Sequence, residues 1–360
     1  MIMTNANKIN SNKKHDTPIY SNFLTRFIFI FLFIEAIGQS EIKLVIQGGG
    51  EKTFLNSQFY QEPNEVIVNG ISKPSCKKSC EFGNGLNEVK IKFDNPLESC
   101  ANMFDSQQSI IEIDLSNFDT SKVINMYRMF SDCVNVQKIN LENINTSLVQ
   151  NMDELFNACK RLTYINKLDF DTSSVVTMRG MFANCESILS IVAEFNPQNV
   201  VNMENLFANC FKVVSIKLPN FRGTKVTNVH CMFFQNYKLK YLDLPNFSHG
   251  KLTTFKSMFR ICSSLIYINI PYLTSTVHYT NTWGILDSTP SNLIVCILHG
   301  NTRYQRQKKY PSKIFDCSNI CFSGNIKLDL KENKCVKECE GNEYIFANDY
   351  FCYRCPLKIS

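Results

Sequence analysis

The sequence predicts an α/β solenoid of about seven to eight units of ~26 residues, with a β-rich cap before it and a small disulfide-rich module after it. Three observations predict it. The first is a phrase that recurs as Met129-Phe130-x-x-Cys133, Leu155-Phe156-x-x-Cys159, Met181-Phe182-x-x-Cys185, Leu206-Phe207-x-x-Cys210, Met232-Phe233-x-x-Asn236 and Met258-Phe259-x-x-Cys262, its phenylalanines 26, 26, 25, 26 and 26 residues apart. A fixed period of this length marks a stack of small units, none of which can bury its apolar face alone. The second is a change of apolar spacing within each unit, from alternation to steps of three and four. The third is the placing of the 16 cysteines, most of which fall before the repeats, in one repeat column, or in a terminal cluster.

At the N-terminus, basic residues precede the apolar run Phe27 to Ile34, and Ala36-Ile37-Gly38 follows. This pattern predicts a signal peptide over 1–38, cleaved near Gly38, with a short signal anchor as the alternative. The run is shorter than the roughly 20 residues of a spanning helix, and no later segment is long and apolar enough for one. The terminal stretch lacks the hydrophobic tail of a lipid-anchor signal. Residues 39–85 form the expected β cap, with strand-like Ile42 to Ile46 followed by Val66 to Gly70. Gly48-Gly49-Gly50 reads as a hairpin turn. A phosphate loop would need a following glycine, lysine and hydroxyl residue that are not there.

The solenoid is expected over 86–300. In the unit that begins at Ile110, Ile113 and Leu115 alternate as in a strand, whereas Val123, Met126, Phe130 and Cys133 step as on a helical turn. Asp119-Thr120-Ser121 lies between them, placed to cap exposed amides. The columns repeat. Ile113, Ile139, Ile165, Ile191, Ile216, Leu242 and Ile268 share one strand position, and Val123, Val149, Val175, Val200, Val226 and Leu252 share the next segment's first apolar position. Partial units fit Ile91 to Phe104 at one end and Ile285 to Leu298 at the other.

The strand phrase L-x-x-L-x-L matches leucine-rich repeats. Leu115 to Met126 (LSNFDTSKVINM) and Asp171 to Met178 (DTSSVVTM) resemble the BspA-like leucine-rich repeat surface proteins of bacteria and protists, over roughly Leu86 to Leu298. The strand-like lead-in resembles the protist members. The resemblance implies a leucine-rich-repeat-like horseshoe, secretion, and adhesion or surface recognition. Asn199 and Lys251 depart from the Thr-Ser pattern, and Asn236 replaces a cysteine.

After the solenoid, Arg303, Arg306, Lys308, Lys309 and Lys313 make 301–316 a basic linker, with a processing site or a contact for anionic glycans as the sharper alternative. Residues 317–360 form the cysteine-rich module. Cys317, Cys321, Cys335, Cys339, Cys352 and Cys355 are disulfide candidates, as are Cys76 and Cys80; zinc is the rival. The terminal cluster loosely resembles growth-factor-receptor-like cysteine-rich repeats. The repeat-column cysteines read as small core filler rather than a metal ladder or redox relay. Cys231 stands outside the column, free or paired with a neighbour.

Net charge is +6, and residues 1–38 hold four bases against two acids, so the rest is too weakly basic to argue for nucleic acid. The histidines match no metal-ligand spacing, no nucleophile with a base stands out, and no cofactor is implied. The chain therefore reads as an interaction protein and not an enzyme. Tyr164, Tyr241 and Tyr267, with Asp243 and Asn269 beside the last two, occupy outward strand positions. They are the expected contacts for a protein or glycan on a cell surface or in the extracellular matrix. The plain alternative is that exposed strands favour tyrosine anyway. Asn145 and Asn246 are glycosylation acceptors in a secreted chain. The second functional reading is an ectodomain fragment of a larger membrane receptor, with the cysteine cluster as its stalk.

Overall fold

A computed structural model describes residues 40–166, 168–244, 246–247, 252–270, 284–291 and 293–297, and the strand backbones at 313–316, 327–329, 334–336, 343–344 and 351–354. The chain divides into two compact units, 1–39 and 40–360. The first, with the expected signal peptide, lies outside the described residues.

The second unit begins with antiparallel strands. β1 (Ser40–Thr53) pairs with β4 (Ser79–Phe93), and β2 (Glu65–Val68) pairs with β4 and with β3 (Ile71–Ser72). Alternation explains the faces: Ile42, Leu44 and Ile46 of β1 and Val89, Ile91 and Phe93 of β4 are buried, with Lys43, Val45, Lys90 and Lys92 between them. Two expectations change here. Ile91 to Phe93 end an antiparallel strand and are not the start of a repeat unit, because Ile91 pairs with Ile42 and Phe93 with Ser40. Gly48 to Gly50 form a bulge inside β1 and not a hairpin turn, and β1 runs on to pair Thr53 with Ser79. Glycine is required there. Gly49 and Gly50 have φ of 121° and 78°, and a Cβ on Gly48 would lie 2.4 Å from the Gly83 carbonyl oxygen. Cys76 and Cys80 form a disulfide.

A β-solenoid of about six turns of ~26 residues follows. Its strands are β5 (Ile110–Asn117), β6 (Lys138–Asn140), β7 (Tyr164–Asn166), β8 (Ser190–Val192), β9 (Ser215–Lys217), β10 (Tyr241–Asp243), β11 (Tyr267–Asn269), β12 (Ile294–Ile297) and β13 (Lys313–Asp316). β5 pairs antiparallel with β1 and parallel with β6, so one seven-stranded sheet runs β3-β2-β4-β1-β5-β6-β7. Strands β8 to β13 form a second, parallel sheet, which takes Lys313 to Asp316 of the expected linker as its last strand. The repeat register is the one the columns require: Ile113 faces Ile139, and Leu242 lies between Ile216 and Ile268. A four-stranded sheet holds β14 (Lys327–Asp329), β15 (Lys334–Val336), β16 (Glu343–Tyr344) and β17 (Phe351–Arg354).

The expected short helices are replaced by turns; the described residues contain no α-helix. The reason is in the backbone. Each unit places one residue in the left-handed region just before its Met-Phe pair and another just before its cysteine, as at Arg128 (φ 53°) and Asp132 (φ 55°) or Asn205 (56°) and Asn209 (60°). An α-helix cannot contain such residues at four-residue intervals. The amides divide the work instead. Met129, Ser131 and Cys133 donate three residues back, while Met126, Arg128, Phe130 and Asp132 donate to the next unit's carbonyls. A second ladder of single parallel bridges runs Ser99, Asn125, Asn151, Thr177, Asn202, Asn228 and Thr254, and continues past the boundary between the two sheets. The Asp-Thr-Ser segment also acts differently from a helix cap. Asp119 Oδ1 accepts from the Ser121 amide at 2.9 Å, a local turn, while buried Thr120 bonds the Asn145 carbonyl of the next unit at 2.9 Å.

The core is a column of rings. Phe104, Phe130, Phe156, Phe182, Phe207, Phe233 and Phe259 stack in order with centroids 5.2–5.8 Å apart and planes within 20°. No helix among the described residues is long and apolar enough to cross a membrane.

Candidate binding face

Outward positions of the strands make a continuous face on each sheet. On the first, one row reads Glu88, Val45, Glu112, Lys138 and Tyr164, and the next reads Lys90, Lys43, Asp114 and Asn140. A groove of about 240 Å³ lies over them, lined by Lys43, Lys90, Glu112, Asp114, Lys138 and Asn140 among others. Burial works to raise the Asp114 carboxyl, but hydrogen bonds from Ser116, the charge of Lys43 and the Asn140 amide outweigh it and hold it below its usual value. The β1 and β4 part of this face is not expected from the repeat columns. Its signal is the polar alternation of Glu41 and Lys43 against Ile42 and Leu44, which shows a second exposed face but not which sheet it extends.

The predicted tyrosines do not form one exposed line. Tyr164 is 58% exposed and Tyr241 is half-buried, but Tyr267 is only 1% exposed and Asn269 6%. The repeat alternation places Tyr267 outward, and all three residues of β11 are nonetheless buried. Outward from the sheet is therefore not outward to solvent at this end of the stack. Burial, with the charge of Asp243 next, raises the Tyr267 hydroxyl well above its usual value. Asp243 keeps an exposed edge, yet protein packed around it raises its carboxyl, and the Asn269 amide, donating at 2.8 Å, offsets this only in part.

The apolar part of the face lies elsewhere. Leu189, Val192 and Val214 are exposed, Val192 by 59%, and with Tyr164 they flank the boundary where β7 ends one sheet and β8 begins the other. Val192 holds a column position that is Asp, Asn or Lys in neighbouring units, a departure visible in the sequence.

The repeat cysteines are buried, free, and more than filler. Each thiol donates to the phenylalanine carbonyl of the preceding unit: Cys133 to Phe104 at 2.9 Å, Cys159 to Phe130 and Cys185 to Phe156 at 3.1 Å, Cys210 to Phe182 at 3.2 Å, and Cys262 to Phe233 at 3.0 Å. Asn236 keeps the function by donating through Nδ2 to Phe207 O at 3.0 Å. Cys231 is free and half-buried, its Sγ 3.4 Å from His230 Nε2. On the turn side, Arg128 bridges units by binding Asp105 at 3.1 Å and Glu154 at 2.6 Å, and Arg179 also binds Glu154. The described residues hold no group of three or more His, Cys, Asp or Glu placed for a metal.

Of the glycosylation candidates, Asn145 is exposed and its Oδ1 accepts from Ser147 Oγ at 2.8 Å, while Asn246 donates to Pro219 O at 3.0 Å. Cys317, Cys321, Cys339 and Cys355 lie outside the described residues, and of Cys335 and Cys352 only the strand backbone is described. Arg303, Arg306, Lys308 and Lys309 also lie outside them.

Residues 90–187 and 163–272 match the model of a family described as "Mycoplasma protein of unknown function, DUF285". No curated protein and no solved structure matches the chain.

Proposed function

This chain belongs to the DUF285 family, and on that premise we propose that it is a secreted or cell-surface interaction protein of the BspA-like kind, binding a macromolecular partner through the outward strand face. The observation that carries the reading is the row that ends at Tyr164. It is a long, solvent-facing strand surface whose charged residues give way to exposed Tyr164, Leu189 and Val192. An apolar centre beside a polar rim is the usual anatomy of a binding surface. The buried side of the same strands carries Ile139 and Ile191, so the exposed residues do not fill the core.

The test is binding of the purified chain to cells or to extracellular matrix, compared with a Tyr164→Ala, Val192→Ser double variant. The variant should keep the parent's thermal unfolding curve and lose about 2 kcal/mol or more of binding free energy. Undiminished binding by a folded double variant would sink the proposal. Secretion is tested separately, by fractionating cells that express the full chain and determining the N-terminal residue of any released form. Retention in the cytosol with residues 1–38 intact would rule it out.

A further inference from the structure

Among the described units the strand ladder is broken at one step, and the break lies within the outward face. Elsewhere one amide per unit donates to the equivalent carbonyl of the unit before it: Gln137 to Ile111 at 2.9 Å, Thr163 to Gln137 at 3.4 Å, Val214 to Leu189 at 2.9 Å, Lys240 to Val214 at 3.4 Å and Ile266 to Lys240 at 2.8 Å. Leu189 makes no such bond to Thr163 among the described residues, and no pairing joins β7 to β8. The turn side continues across the same step, with Thr177 bridged to both Asn151 and Asn202 and the Phe156 and Phe182 rings 5.2 Å apart. The two units are therefore stacked on one side and parted on the other. Ile165 records the parting: its equivalents Ile139 and Ile191 are buried, and it is only partly so. The sequence supplies a cause. Lys167 falls where Leu115, Leu141, Leu218 and Leu244 follow their strands, and the buried leucine comes one residue later, at Leu168. A lysine is costly in a core column, which works against the register that the neighbouring strands share.

An open strand edge presents backbone donors and acceptors at strand spacing, and what satisfies them is another backbone. Leu189 and Val192 stand on the β8 side of the break, 55% and 59% exposed, and Tyr164 stands on the β7 side. Lys138, beside Tyr164 in register, and Lys217, beside Val192, are exposed and make both flanks positive. The acids of the β8 unit do not cancel them: Glu186 is bound by Lys160 at 3.0 Å and Glu194 by Asn220 at 2.6 Å. We infer that an extended segment of a partner polypeptide, with alternating apolar residues and carboxylates at its ends, enters the break and pairs with the open edge of β8. The inference rests on the proposed use of this face and names the class and conformation of what docks there. Alternate side chains of the segment meet Leu189, Val192 and Tyr164, while its backbone takes up the Leu189 amide.

The experiment titrates the peptide acetyl-Glu-Val-Thr-Val-Thr-Val-Glu-amide into the full chain, with binding and amide hydrogen exchange both followed by NMR. Saturable binding is expected, and at saturation the Leu189 amide should exchange about tenfold more slowly, as one added hydrogen bond implies, while the Val214 amide, already bonded within the chain, should not change. The same peptide N-methylated at alternate residues keeps its side chains and loses the donors of one edge, so it should bind about tenfold more weakly or worse. A peptide with lysine in place of both glutamates should also bind more weakly, and the Lys138→Glu, Lys217→Glu double variant should reverse that preference. Absence of saturation in the parent, equal binding of the N-methylated peptide, or an unprotected Leu189 amide at saturation would overturn the inference. So would protection of that amide by concentrating the chain alone, which would make a second copy the occupant. If the peptide fails while the Tyr164→Ala, Val192→Ser variant still loses cell binding, only this inference falls. If the peptide binds and that variant keeps full cell binding, the reading of the face falls instead.

Discussion

The smallest regularity in the molecule is a thiol that donates one hydrogen bond. In five units a cysteine satisfies the carbonyl of the phenylalanine one unit back, and in a sixth Asn236 does so. What the column has in common is a small buried donor. Asn236→Cys should therefore be nearly neutral in urea unfolding, whereas Asn236→Ala, which leaves a buried carbonyl without its donor, should cost about 1–3 kcal/mol. Equal stability of the two variants would show that the column is only filler. Burial also pushes the Cys210 and Cys262 thiols up to about 12. Their folded values lie above the roughly 8.5 of a free thiol, so the stability they lend is full below that pH and is lost as pH rises toward 12. Iodoacetamide at pH 9 should accordingly label Cys231 in the native chain and spare Cys133 to Cys210 until denaturant is added. Rapid labelling of the column in the folded protein would contradict the enclosed geometry.

At the level of the element, the unit is a short strand followed by a chain of turns held by left-handed residues. Asn205 sits in one of these positions at φ 56°, so Asn205→Val should destabilise by roughly 1–2 kcal/mol, since a β-branched side chain is strained there. A purified chain with a strong helical signature in far-ultraviolet circular dichroism would overturn the description. Phe182 touches Phe156 at 5.2 Å and Phe207 at 5.6 Å, and Phe182→Ala should cost about 3–5 kcal/mol in the same unfolding assay. The period, the strand register and the ring column were all legible in the sequence, because equivalent residues in a stack must meet one another. The helix was misread for a physical reason: apolar residues at Val123, Met126, Phe130 and Cys133 fit a helical stripe, and a run of turns three residues long buries the same residues. The left-handed positions are filled by Arg, Glu, Asn, Cys and Ser as well as Gly, and so gave little warning. The exposure of the outward strand position was legible at Tyr164 and not at Tyr267. Alternation tells which side of a strand a residue occupies, but not what else covers that side.

Over the whole stack, hydrogen bonds, rings and bridges join equivalent positions of neighbouring units, so stability is a sum over adjacent pairs. Removing residues 201–226 would join Val200 to Thr227, which takes the place of its equivalent Val201, and bring the 175–200 unit against the one that follows. Phe182 would then meet Phe233, and Asn236 would reach the Phe182 carbonyl in place of Cys210. The shortened chain should fold and unfold cooperatively, with a smaller unfolding enthalpy roughly in proportion to the lost residues. Failure to fold would show that units are not interchangeable. The thiol-to-carbonyl bond gives this interchange a particular form. Because each cysteine serves the unit before it and is served by nothing in its own, a duplicated segment arrives already able to satisfy its predecessor, and leaves its own phenylalanine carbonyl ready for whatever comes next. Gene-level gain or loss of whole repeats therefore changes the reach of the surface in steps of one strand, without any compensating substitution in the interior.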